Sequence, residues 1–145
     1  MILVIGIGSP LRGDDGVGQA AAFELANRLP HTDMEVLGVH QLTPELVEPI
    51  SRADRVIFLD ADVRQEAGQI VTRQIHPLDD HAGAFSHHIS PAALLLGARQ
   101  LYGTAPEGYL ISIGAETFAF SEQLSARVQA AFPDYITAAM NLLTP

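Results

Sequence analysis

Two adjacent carboxylates, Asp14 and Asp15, lie between glycines in the run RGDDGVG (residues 12–18), where an apolar strand pattern gives way to a helical one. Such a junction commonly holds a phosphate, because a helix start offers free N–H groups and the positive end of its dipole. These residues argue against that use. A dinucleotide fingerprint needs a third glycine three places after its second, and Gly6 and Gly8 are followed there by Leu11. Gly8 and Gly13 have the separation found in a phosphate loop. However, Asp14 and Asp15 stand where a lysine and a hydroxyl residue would meet phosphate and magnesium. Carboxylates at these positions repel an anion and attract a cation.

Two further groups extend that cation chemistry. Asp60 closes the apolar run RVIFL, and a polar loop carries the pair His87 and His88. In an open parallel sheet the ligand crevice lies at the carboxyl ends of the strands. Asp15 follows the first strand and Asp60 ends the third, which places both at one rim, within reach of a histidine from the loop. Two aspartates and a histidine with open positions suit zinc, nickel, manganese or iron by ligand type. Spacing alone leaves plainer readings open: Asp14 as a helix cap, Asp60 as an ordinary residue after a buried strand, and the histidines as surface groups.

Composition narrows the classes. A chain of 145 residues with 48% hydrophobic content suffices for one domain with a single core. Its eight basic residues are all arginine, so lysine Schiff-base chemistry is excluded, and the absence of cysteine excludes disulfides, thiolate nucleophiles and sulfur-ligated metals. A formal charge of −9 argues against a nucleic-acid partner. No apolar run reaches the roughly 18 to 20 residues of a membrane span, and Met1 leads directly into ILVIG without a signal-peptide pattern. A cytoplasmic protein without membrane or nucleic-acid contacts is the expectation.

The elements that must carry these groups alternate in an α/β pattern. Strands are predicted over residues 2–7, 34–39, 55–59, 69–75 and 109–113, the fourth at an edge. Helices are predicted over residues 16–29, after Thr43 with Pro44 in the first turn, from Ser90 and Pro91 to Gly103, and over 124–143 with a bend or break at Pro133. Val17, Ala20, Ala21, Leu25 and Leu29 form the apolar stripe of the first helix. The segment from His76 to His88 reads as an active-site loop or lid. The whole predicts a single-domain three-layer sandwich: a mostly parallel central sheet of about five strands with helices on both faces.

Four stretches, GIGSPLRGDDGVG, VIFLDA, SHHIS and IGAETFAFSEQLSARV, together resemble the hydrogenase maturation proteases across nearly the whole chain. These endopeptidases trim the C-terminal extension of the nickel-iron hydrogenase large-subunit precursor. The resemblance implies Asp15, Asp60 and His87 as metal ligands, with His88 the runner-up for the histidine. It implies nickel as the metal, carried by the precursor, with another divalent ion such as zinc as an alternative. Asp14 is a candidate to orient the attacking water, and Asp62 flanks the site. Ser9 and Pro10 depart from the family's usual asparagine after the second glycine.

The remaining polar residues have smaller expected roles. His40 ends the second strand and is placed to line the cleft, while His31, His76 and His81 read as solvated. Arg12 reads chiefly as a surface ion-pair residue, with pairing to Asp14 or clamping of a substrate carboxylate as its other uses. A broad cleft is expected, since a protein tail must enter it, on a monomer that docks to a large partner. The alternative to an enzyme is a nickel-sensing module that binds the precursor without cutting it.

Overall fold

A computed structural model describes residues 1–30, 33–77 and 89–143. Continuous apolar strands require cover on both faces, and the described residues form one five-stranded sheet between two helical layers. The strands are β1 (Ile2–Ile7), β2 (Met34–Val39), β3 (Arg55–Asp62), β4 (Ile70–Ile75) and β5 (Glu107–Gly114), in the order β2-β1-β3-β5-β4. Pairing is parallel throughout except between β4 and β5, which run antiparallel at one edge. The expected three-layer, mostly parallel architecture is observed, with the fourth strand at the edge.

Side-chain alternation divides the core in two. Leu3, Ile5, Val56 and Phe58 face the layer of α2 (Val47–Ser51) and α3 (Pro91–Tyr102). Val4, Ile57, Leu59, Ile111 and Ile113 face α1 (Val17–Arg28) and α4 (Ala126–Leu143). The β1-to-β2 crossover therefore runs over one face and the β2-to-β3 crossover over the other. Between β1 and β3 the order reverses, which makes a crevice at their carboxyl ends. The β1–β3 pairing stops at Gly6–Leu59, whereas β3 continues beside β5 as far as Asp62–Gly114.

Several boundaries differ from the sequence-based expectation for identifiable reasons. β3 runs past Leu59 to Asp62 because β5 supplies a partner for each added residue. Before α1 the chain makes a 3₁₀ turn over Gly13–Gly16, so the helix proper starts at Val17. The buried face of α1 comprises Val17, Gly18, Gln19, Ala21, Ala22 and Leu25, while Ala20 is only partly covered. Thr43 precedes a 3₁₀ turn over Pro44–Leu46, but its side chain makes no capping bond. Ser90 does cap α3, accepting from the Ala93 N–H at 3.1 Å, and Gly103 ends that helix with φ 81°. α4 is not broken at Pro133, which lies inside one helix over Ala126–Leu143. Val128 on one side of the proline and Tyr135, Ile136 and Ala139 on the other are all buried against the same face of the sheet. That continuous burial outweighs the one lost backbone bond. No helix among the described residues is long and apolar enough to cross a membrane.

Close approach of α1 to the sheet depends on Gly18. A Cβ there would lie 2.7 Å from the Ile7 carbonyl oxygen and 3.0 Å from its nitrogen, and closer still to the Leu59 carbonyl. Backbone cannot yield as a flexible side chain can. Gly18→Ala is therefore expected to cost about 1–3 kcal/mol of folding stability, measured by urea unfolding. An unchanged midpoint would show that the helix shifts without cost.

Candidate active site

After β1 the chain turns sharply at Gly8, whose φ of 125° suits glycine and where a Cβ would strike the Asp15 carbonyl. Two bonds hold this turn. The Gly8 N–H donates to Val39 O at 2.9 Å, and the buried Gln19 amide donates to Gly8 O at 2.7 Å. Gln19 is a functional support that periodicity overlooks. The available signal was a polar residue inside the apolar run of α1.

Asp15 and Asp60 then meet one cleft of about 680 Å³ at the β1/β3 crevice. Its walls include Gly8, Arg12, His40, Leu42 and Ile89. Asp15 is partly exposed and accepts the Ser9 N–H at 2.9 Å. Asp60 is also partly buried, and its Oδ1 accepts the Ala61 N–H at 2.8 Å. Burial raises the Asp60 pKa to about 7; the Ala61 hydrogen bond opposes this, and the charges of Asp15 and Asp62 add to it. Two carboxylates that repel across a partly dry cleft form a site whose electrostatic cost a cation would relieve.

The third predicted ligand, His87, lies outside the described residues, as do His88, His31 and His81. Among the described residues no three His, Cys, Asp or Glu side chains are grouped closely enough to hold a metal ion. His40 does line the cleft as expected, and His76 is exposed after β4. Asp62 ends β3 beside the site, held by Arg64 through its backbone N–H at 2.8 Å and Nε at 3.1 Å.

Asp14 has a different task from its neighbour. Its side chain is fully buried, with 0% exposure. One carboxylate oxygen accepts the Ser125 N–H at 2.7 Å; the other accepts the Ser125 hydroxyl at 2.8 Å, the Glu116 N–H at 2.8 Å and the Thr117 N–H at 3.3 Å. It neither caps its own helix nor lines the cleft. The water-orienting role considered for it does not fit this placement, because its acceptor positions are taken by the distant 116–125 segment. Pairing with Arg12 does not occur either: Arg12 makes no ion pair among the described residues and donates its Nε–H to Phe118 O at 3.4 Å. The long-range segment bonded to Asp14 could not be read from local pattern.

No protein-family model and no curated protein sequence matches the chain. Solved structures do share its fold. The hydrogenase maturating endopeptidase HybD from Escherichia coli superposes with TM-score 0.74 at 24% identity, covering 98% of this chain and 91% of that one. A hydrogenase 2 maturation peptidase from a Thaumarchaeota archaeon gives 0.71 at 24% identity, with 98% and 97% covered. The nickel-iron hydrogenase maturation protease HycI from Thermococcus kodakarensis gives 0.77 at 23%, with 98% and 91% covered. The chain is similar to these proteins over nearly its entire length.

Two outcomes follow from the side chains. Asp14→Ala leaves four donors without their anion, and unfolding in denaturant should show a loss of about 3 kcal/mol or more; a loss within 0.5 kcal/mol of zero, a rough surface-mutation scale, would deny the clamp. For Asp60, the folded pKa lies above the unfolded one, so its contribution to stability is present below pH ~4 and lost as pH rises through ~7. In metal-free protein, Asp60→Asn should therefore gain about 1–3 kcal/mol over the parent at pH 8 and little at pH 4. Thermal melts across that range in a chelator read the difference, and parallel curves would contradict it.

Proposed function

We propose that this chain is an endopeptidase that trims the C-terminal extension of a nickel-loaded hydrogenase large-subunit precursor, acting as a cytoplasmic monomer. One observation carries the reading: Asp15 and Asp60 face a single open cleft at the switch point of a fold shared with solved hydrogenase maturation peptidases. A protein tail needs such an open trough, and the nickel of the precursor, as part of the substrate, needs oxygen ligands from the enzyme.

The donor set fits a divalent cation. Asp15 and Asp60 would hold it, with His87 as the third ligand that the resemblance implies and zinc as an alternative to nickel. A bound cation supplies polarisation of the scissile carbonyl and a more acidic water. The chain's own groups do the rest. Ser9 N–H fixes the Asp15 carboxylate, and Ala61 N–H fixes that of Asp60. With its pKa near 7, Asp60 can accept a proton from water at neutral pH when no cation is bound. Asp14 keeps the turn in place and has no part in proton transfer.

The test is the intact mass of nickel-loaded large-subunit precursors before and after incubation with the purified chain. Loss of a C-terminal peptide is expected. Asp15→Ala, Asp60→Ala and His87→Ala should each slow it by about 100-fold or more while far-UV dichroism stays unchanged. A precursor that binds but keeps its mass would support the sensing module instead, and undiminished cleavage in all three variants would overturn the site.

A further inference from the structure

A second cavity, of about 420 Å³, adjoins the cleft and shares Asp60, Ala61 and Leu110 with it. The strand register explains its place. Asp60 pairs with Ser112 and Ser112 with Val71, while Leu110 pairs with Arg73, so these side chains lie on one face of the β3-β5-β4 ribbon. Phe118 closes one side and Arg64 another.

Among the described residues Arg12, Arg73, Arg99 and Arg127 make no ion pair, and of these four Arg73 lines this cavity. Arg28, Arg52, Arg55 and Arg64 each pair with a carboxylate. Arg73 is exposed and makes no ion pair or hydrogen bond among the described residues; its charge only helps to lower the Asp62 pKa. Asp62 is already held by Arg64, and the uncharged polar groups Ser112 and Gln65 bond to each other at 2.5 Å. The guanidinium of Arg73 thus retains its donors for a planar anion, over an apolar floor of Val71 and Leu110.

We infer that the Arg73 cavity is a subsite for a carboxylate of the peptide lying in the Asp15–Asp60 cleft. The inference rests on the peptidase reading for the identity of that peptide. Two strand spacings of about 4.8 Å, with a two-residue offset along β4, separate Asp60 from Arg73. An extended chain crosses that gap in about three or four residues. The subsite therefore selects an acidic side chain about three or four positions from the residue over Asp60, or the free carboxylate of a tail that ends there.

The test does not need cleavage. The full ¹⁵N-labelled chain is titrated with millimolar acetyl-Ala-Glu-Ala-amide, acetyl-Ala-Gln-Ala-amide and acetyl-Ala-Ala-Ala with a free C-terminus. The Arg73 Nε–H resonance is expected to move with a carboxylate peptide and not with the glutamine one, and to vanish from the spectrum in Arg73→Gln. Response to the first peptide assigns an acidic side chain, and response to the third alone assigns the chain end. Equal shifts with all three peptides, or no shift at Arg73, would overturn the subsite. With any precursor that the chain cuts, Arg73→Glu should raise KM about tenfold at unchanged kcat, and a lysine in place of the substrate's acidic residue should restore it. A carboxylate-specific shift without cleavage of any precursor would retain the subsite and reject the peptidase reading. Cleavage without such a shift would do the reverse.

Discussion

The buried Asp14 carboxylate is the centre of the attachment between the turn before α1 and residues 116–125, about a hundred positions away. An ionised group removed from water is costly unless its lone pairs are filled, and four donors from residues 116–125 fill them. The same bonds satisfy backbone N–H groups at the approach to α4, which a segment without regular structure would leave open. Gly13 N–H to Ser121 O at 2.8 Å and Ser121 N–H to Leu11 O at 2.9 Å continue the attachment. The turn before α1 is thereby fixed from both sides. Asp15, the next residue, inherits its direction from that anchorage and from Ser9 N–H.

Asp60 reaches the same cleft by a different constraint. It belongs to a strand, so its neighbours are set by register and not by loop geometry. The pairing of β1 with β3 stops just before it, uncovering one side, while Ser112 of β5 stays beside the other. The result is a carboxylate partly dried by the sheet yet open to the cleft, and its raised pKa reflects that position. Rigid placement of one acid by a strand and of the other by a clamped turn leaves little freedom in their relative geometry. Preorganisation of this kind spares a ligand the cost of ordering the site.

The strands, their order of appearance and the edge role of β4 could be read from sequence because each is a short apolar run with a clear period. The shared rim of Asp15 and Asp60 could be read as well, since one comes from the loop after β1 and the other from the end of β3, and the carboxyl ends of neighbouring parallel strands open on the same side. Asp14 could not be distinguished from Asp15 in that way. Its partners are about a hundred residues distant, and no local pattern encodes a bond of that separation. α4 misled for a related reason: proline has a strong local preference, but burial on both sides of Pro133 decided the outcome. Gln19 was hidden because its bond goes to a carbonyl in another element.

The turn after β1 differs from a phosphate loop in its hydrogen bonds. In such a loop the amides of the glycine turn remain free for the ligand's oxygens. Here Ser9 N–H is taken by Asp15, and a further set of amides from elsewhere in the chain is taken by Asp14. The chain's own carboxylates thus occupy these donors. One of those anions is sealed inside as structure. The other turns its remaining acceptor capacity toward the cleft, opposite a second carboxylate whose burial already disfavours its charge. The turn therefore presents a carboxylate to the cleft where a phosphate loop presents free amides, because two residues adjacent in sequence differ in solvent access.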